Sequence, residues 1–169
     1  LLNSFSVNSI EYINNVWEIS SKDGRQIEGI SIVIADGSNS HWPKQFKLGP
    51  KTNYYANTTS VRLEDNCNHT EGIARFEFGL VKNGFAWAFP LKDSVSIGVG
   101  TFIGKEADNT DEILEKFISS LGLDPKAGSR KKSSLRVWNG HHPLHGKGIL
   151  IAGDAASLCD PFLAEGLRP

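Results

Sequence analysis

Apolar and polar residues alternate over short stretches along most of this chain, and the pattern predicts a strand-rich protein. Val16-Trp17-Glu18-Ile19-Ser20 is a first strand, followed by a turn at Asp23-Gly24. Residues 27–35 read as its partner. The end of that run, Ile32-Val33-Ile34-Ala35, is continuously apolar and suits a strand buried on both faces. Residues 38–53 predict a loop or short helix. Strands follow at 54–63, 72–80, 84–90 and 94–102. The last two are joined by Leu91-Lys92-Asp93 and predict an antiparallel hairpin with Phe85, Trp87 and Phe89 on one face.

Period changes once, at Asp111–Leu121, where Ile113, Leu114, Phe117, Ile118 and Leu121 recur at helical spacing. Residues 108–110 offer N-caps, and Gly122 supplies the stop. Two more strands are expected at 133–138 and 148–152, the second buried on both faces. Asp160-Pro161 then has the signature of a helix start. Many strands around one central helix favour an α+β fold with an antiparallel sheet over a repeating βαβ array.

Composition narrows the function. A chain of 169 residues with 39% apolar and 22% charged residues can bury a core of its own. The formal net charge of -1 gives no electrostatic case for nucleic acid. No apolar run approaches the ~20 residues that span a bilayer. No secretory leader is visible, so a cytoplasmic setting is expected. The two cysteines, Cys67 and Cys159, form no CxxC pair, which argues against a disulfide framework or structural zinc. The absence of methionine and the end of the chain at Pro169 suggest an excised piece.

Three segments carry candidate chemistry. In the first, Asp36-Gly37 and Ser40 follow a buried strand, and ligands of sheet proteins gather at the carboxyl ends of strands. A plain strand-end turn is the competing reading. In the second, Gly153, Asp154 and Ala155 follow another such strand. A carboxylate there, flanked by small residues, can accept hydrogen bonds from sugar hydroxyls. Beyond it, Pro161 to Gly166 would begin a helix whose N-terminus favours an electron-rich group. In the third, Phe85, Trp87, Phe89 and Pro90 are followed by Gly98 and Gly100. Those aromatics line an apolar pocket or fill a core.

The three segments, in this order, resemble the p-hydroxybenzoate hydroxylase-like flavoproteins. Within these, the Phe-Ala-Trp-Ala-Phe-Pro run, the Gly-x-Gly and Pro161-Phe162-Leu163-Ala164-Glu165-Gly166 are similar to the geranylgeranyl reductase family of FAD-dependent oxidoreductases. The resemblance covers residues 12–169. It implies partial strands of a Rossmann-type FAD domain at 1–50 and 146–169, interrupted by a substrate-binding antiparallel sheet at 51–145. It also implies FAD as cofactor, with Asp36, Gly37, Ser40, Gly153, Asp154, Ala155, Pro161 and Gly166 as its contacts. Phe85, Trp87, Phe89, Pro90, Gly98 and Gly100 become the substrate contacts. The implied reaction is reduction of isolated double bonds in a geranylgeranyl or other isoprenoid substrate by hydride from reduced flavin. No catalytic residue is assigned. The electron donor stays open between NADPH and ferredoxin, and so does the oligomeric state. An apolar substrate admits peripheral association with a membrane.

The sequence departs from the family in three ways. The N-terminal GxGxxG is absent, Phe85 stands where relatives often carry Tyr, and Pro43 replaces an Arg expected after Ser40. The piece alone is therefore expected to fold but to be inactive and not to hold FAD. A flavin monooxygenase or halogenase on the same scaffold is the alternative enzyme, and an inert domain the non-enzymatic one. His141, His142 and His145 sit in a Pro/Gly loop without a nearby carboxylate, and no metal site is expected. Arg130-Lys131-Lys132 reads either as a solvated face or as a contact for a diphosphate headgroup.

Overall fold

The computed structural model describes residues 2–64, 72–101, 109–162 and 165–166. The chain begins with an antiparallel meander of β1 (Val7–Ile13), β2 (Val16–Ser21) and β3 (Gln26–Gly29). Asn14 and Asn15 form the first turn with φ of 50° and 66°, the left-handed pair that matches the twist of a tight hairpin. Residues 27–35 are not one strand. The chain leaves the meander after Gly29, turns through Ile30, which is 84% exposed, and restarts as β4 (Ile32–Ile34) in a different sheet.

After β4 come α1 (Trp42–Gln45), β5 (Tyr54–Glu64), β6 (Arg75–Phe78), β7 (Gly84–Pro90), β8 (Ser94–Thr101), α2 (Thr110–Ser120) and β9 (Lys131–Val137). Strands β5 to β9 build one antiparallel sheet in the order β6-β7-β8-β5-β9. The expected hairpin is β7–β8, with Trp87 opposite Gly98. Phe102, which it was expected to include, lies outside the described residues.

The helix α2 lies against one face of this sheet. Leu114, Phe117 and Ile118 pack on Val61, Leu63, Ala86, Ala88, Val95, Ile97 and Val99, and this is the main core. Asn109 caps the helix through its side-chain oxygen, which accepts from the Glu112 N–H at 3.4 Å. Gly122, at φ 75°, ends it.

The third sheet is small. It is formed by β10 (His145–Gly146), β11 (Ile149–Ile151) and β4, with β11 and β4 parallel. Ile34, Ile149 and Ile151 face the meander and pack with Ile10, Trp17, Trp42 and Leu48. Trp17 donates its indole N–H to the carbonyl of Lys147 at 3.0 Å. The opposite face is open, with Val33 61% and Leu150 43% exposed, so neither strand is buried on both faces as its composition suggested.

The expected last helix is not formed by the described residues. Pro161 and Phe162 make a turn, and Glu165 and Gly166 are irregular. The Asp160 side chain accepts from the Phe162 N–H at 2.9 Å, and the Asp160 N–H donates to the Glu165 carbonyl at 2.8 Å. That second bond runs opposite to a helical one, so the segment closes on itself. Leu163 and Ala164 lie outside the described residues. The architecture is α+β, with few helices on antiparallel sheets. No helix among the described residues is long and apolar enough to cross a membrane.

Candidate functional site

Two of the motifs singled out in the sequence emerge from neighbouring parallel strands. Asp36-Gly37 follows β4, and Gly153-Asp154 follows β11. The Ala152 N–H donates to the Ile34 carbonyl at 2.9 Å, so both strands end at one level. After β4, Gly37 adopts φ 87°, and the Ser40 N–H closes a turn onto its carbonyl at 3.1 Å. Asp36 is exposed and Ser40 buried. After β11, Gly153 adopts φ 58° with open space where a Cβ would lie. A short 3-10 turn, Gly153–Ala156, follows, with Ala155 and Ala156 buried and Asp154 half-buried. Gly166 lies beside the Asp154 carboxylate, since a Cβ on it would come 3.7 Å from Oδ1. Pro161 sits in the closed turn between them, half-buried.

Arg136, in β9, ties the two motifs together. It is 6% exposed and donates to the Ser40 carbonyl through Nη2 and to the Ala155 carbonyl, at 3.5 Å, through Nη1. Sequence reasoning missed it. Its only local signal is one charge within the otherwise apolar end of a strand. The neighbouring basic run goes elsewhere. Arg130 bonds the carbonyls of Pro125 and Ala127, and Lys132 pairs with Asp111 at 2.6 Å.

The aromatic row occupies the face of the large sheet away from α2. Ring centroids are 6.2 Å apart for Phe85 and Trp87 and 6.3 Å for Trp87 and Phe89. Opposite them on β8 stand Gly100, Gly98 and Ser96. A Cβ on Gly98 would lie 2.1 Å from the Trp87 ring, so the indole rests flat on the backbone there. Pro90, opposite Val95, belongs to the alternate row with Ala86 and Ala88. Strand β6 widens the row: Phe76 lies 5.6 Å from Phe85 and 5.1 Å from Phe89, and Phe78 5.6 Å from Phe85. These two were also missed, although Arg-Phe-Glu-Phe alternates like the strand beside it.

The row and the strand-end motifs meet at Cys159. Phe85 packs with Ala56, Val137 and Cys159. Val137 bridges Cys159 in parallel, and the Trp138 N–H donates to the Cys159 carbonyl at 2.8 Å. Burial, with the charges of Asp154 and Asp160 behind it, pushes the Cys159 thiol up to about 11. That places it as a neutral filler, close enough to Asp154 to feel its charge.

The residues present fit a flavin dinucleotide in one respect that the geometry supplies. A half-buried carboxylate, an unobstructed glycine and two buried alanines stand together at a strand's carboxyl end. Such a carboxylate can accept from polyol hydroxyls, and the small residues leave the backbone accessible.

No family model matches the chain. An uncharacterized protein of Methanosarcina barkeri is 25% identical over 98% of this chain and 42% of its own length. The digeranylgeranylglycerophospholipid reductase of Methanococcus vannielii is 26% identical over 80% of this chain and 36% of its own length. Among solved structures, a geranylgeranyl bacteriochlorophyll reductase-like protein of Thermoplasma acidophilum matches with a TM-score of 0.72 at 19% identity, over 95% of this chain and 43% of that one. A flavin-dependent halogenase of Brevundimonas sp. BAL3 matches with 0.71 at 16% identity, over 96% and 34%. The chain thus spans less than half the length of the curated relatives it matches.

Proposed function

We propose that this chain, which has the fold of the FAD-dependent oxidoreductase superfamily, is part of an enzyme that reduces isolated double bonds in an isoprenoid chain. The observation that carries the reading is the junction at Cys159. There the aromatic row, half-buried at Trp87 and Phe89, continues through the buried Phe85 to the segment bearing Asp154. An apolar chain laid along Trp87 and Phe89, with Phe85 as a buried floor at one end, would gain ~0.8 kcal/mol per buried methylene, so it needs no polar anchor along its length. The same rings exclude water from the reacting end. Asp154 would hold the ribityl hydroxyls of FAD, with Gly153 and Ala155 giving its backbone room. Asp36, Gly37 and Ser40 would border the dinucleotide from the next strand. Held by these residues, reduced FAD would be the source of a hydride for the alkene, with a proton needed to complete the alkane. NADPH or ferredoxin would supply the electrons, and an apolar substrate would favour work at a membrane surface.

The test uses the full-length protein. Turnover of a geranylgeranyl substrate with reduced flavin is expected, and halogenation or hydroxylation of an aromatic substrate with oxygen is not. The reverse result would favour the halogenase reading, which the near-equal likeness to the Brevundimonas fold keeps in view. Asp154→Ala should lower flavin occupancy of the purified full-length protein, since a charge-assisted hydrogen bond contributes ~1.5–3 kcal/mol. Unchanged occupancy would remove Asp154 from the site.

A further inference from the structure

The two edges of the five-stranded sheet differ. At one edge, β9 opens with Lys131 and Lys132, and lysines of this kind keep an open edge from pairing with another chain. At the other, β6 pairs with β7 alone among the described residues and carries Arg75-Phe76-Glu77-Phe78. Phe76 and Phe78 are exposed, and so are Ile73 and Leu80 on either side of the strand. The neighbouring strands fix which way the backbone of β6 points. The Leu91 N–H donates to the Ser94 carbonyl at 2.7 Å across the β7–β8 turn. Bonding pairs alternate in an antiparallel ladder, so Phe89, Trp87 and Phe85 turn their N–H and C=O groups to β8, and Ala88 and Ala86 turn theirs to β6. Arg75 and Glu77 stand opposite those alanines and answer them. The N–H and C=O groups of Phe76 and Phe78 therefore point out of the sheet.

Outward backbone groups flanked by exposed rings are a template for another strand. We propose that a second copy of this chain supplies it, β6 pairing antiparallel with β6 about a two-fold axis at Phe76. Outward groups must meet outward groups, so the axis falls on a residue and not between two. An axis at Arg75 sets Arg75 against itself, and one at Glu77 sets Glu77 against itself. Like charges directly opposite destabilise a ladder. An axis at Phe78 carries the pairing beyond the end of β6. At Phe76, each Arg75 faces the partner's Glu77, twice by symmetry, at positions without backbone bonds where side chains come closest. Phe76 exchanges two backbone bonds with the partner's Phe76, and Phe78 meets the partner's Ala74. Within one copy Arg75 and Glu77 pair at 2.9 Å with side chains 49% and 36% exposed, so both lie within reach of the axis. The proposal does not depend on the reductase reading.

The experiment is sedimentation velocity of the full-length protein over a concentration series. A reversible monomer–dimer equilibrium is expected. Arg75→Glu and Glu77→Arg should each weaken it at least about tenfold, because two attractions across the axis become repulsions. Circular dichroism checks that both variants keep their fold, as expected for an exposed ion pair. An equal mixture of the two variants separates the interface from any effect within one chain. The Arg75→Glu copy carries only acidic side chains at these two positions and the Glu77→Arg copy only basic ones, so the mixed dimer should form as tightly as the parent's. A protein that stays monomeric throughout, a dimer that either single variant leaves as tight as before, or a mixture that stays monomeric overturns the proposal.

Discussion

On one face of the five-stranded sheet, Ala86, Ala88, Val95, Ile97 and Val99 are sealed beneath α2. On the other face of the same strands, Trp87 and Phe89 stay half-buried, while Phe76 and Phe78 are 49% and 59% exposed. Alternation along β7 and β8 produces both faces from one run of residues. The sealed face carries small and branched side chains that fit under a helix. The open one carries large rings facing glycines, an arrangement that smooths a surface instead of interlocking with a second layer. Core filler and exposed aromatics look alike in sequence; here the helix covers one face, and on the other only Phe85 is sealed, by Ala56, Val137 and Cys159. An open apolar patch of this kind marks a binding surface more often than a packing fault.

The largest effect should come from the sealed face. Leu114→Ala removes a fully buried side chain of α2 and should cost ~2–5 kcal/mol in urea unfolding. A cost below ~1 kcal/mol would break the contrast, because the helix would then not be what holds the sheet.

Next comes the seam between the open face and the Asp154 segment. With Cys67 replaced by Ser, the Cys159 thiol, held near 11, should react with a disulfide reagent at pH 8 at least roughly a hundredfold slower than an ordinary cysteine. Because the folded value is raised, the thiolate appears only as pH climbs through it. The rate should therefore increase about tenfold per pH unit between pH 8 and 10. A rate like that of free cysteine would mean that the seam opens.

Third, Gly98→Ala drives a methyl into the Trp87 ring and should cost ~1–3 kcal/mol, with a shift in tryptophan emission. In a Trp87→Ala background most of that cost should vanish, which isolates the contact. Smallest of all, Phe76→Ser on the open face should change stability by ~1 kcal/mol or less. A larger loss would mean that the rings support the fold after all.

Much of this was legible in the sequence. The β7–β8 hairpin, α2 with its Gly122 stop, and the two strand-end motifs each carry a local signal, whether alternation, helical spacing or a strand closed by Gly and Asp. Other parts lacked one. In β1 only Ile10 is buried, so its alternation is barely written into the chain. The break between β3 and β4 hides behind Ile30, an apolar residue that faces solvent. Asp160-Pro161 looks like a helix start because an N-cap and a side-chain-capped turn use the same aspartate oxygen. Arg136 was invisible because its partners, Ser40 and Ala155, are brought to it only by tertiary structure.

One pairing bears on how such a chain assembles. Tyr54, which enters the large sheet, is the register partner of Val137, which leaves it. Everything between them is a detour whose two ends come out side by side. The parallel contact of β4 with β11 joins segments far apart in sequence, and alone it would carry a heavy loop-closure entropy. Once the detour has folded, that entropy is already spent, and Asp36 and Asp154 face a gap of only short connecting segments. By topology, the antiparallel pairing of β5 with β9 shortens the loop that the β4–β11 contact has to close. A hairpin lengthened or trimmed between β5 and β9 is expected to leave the pairing of β4 with β11 in place.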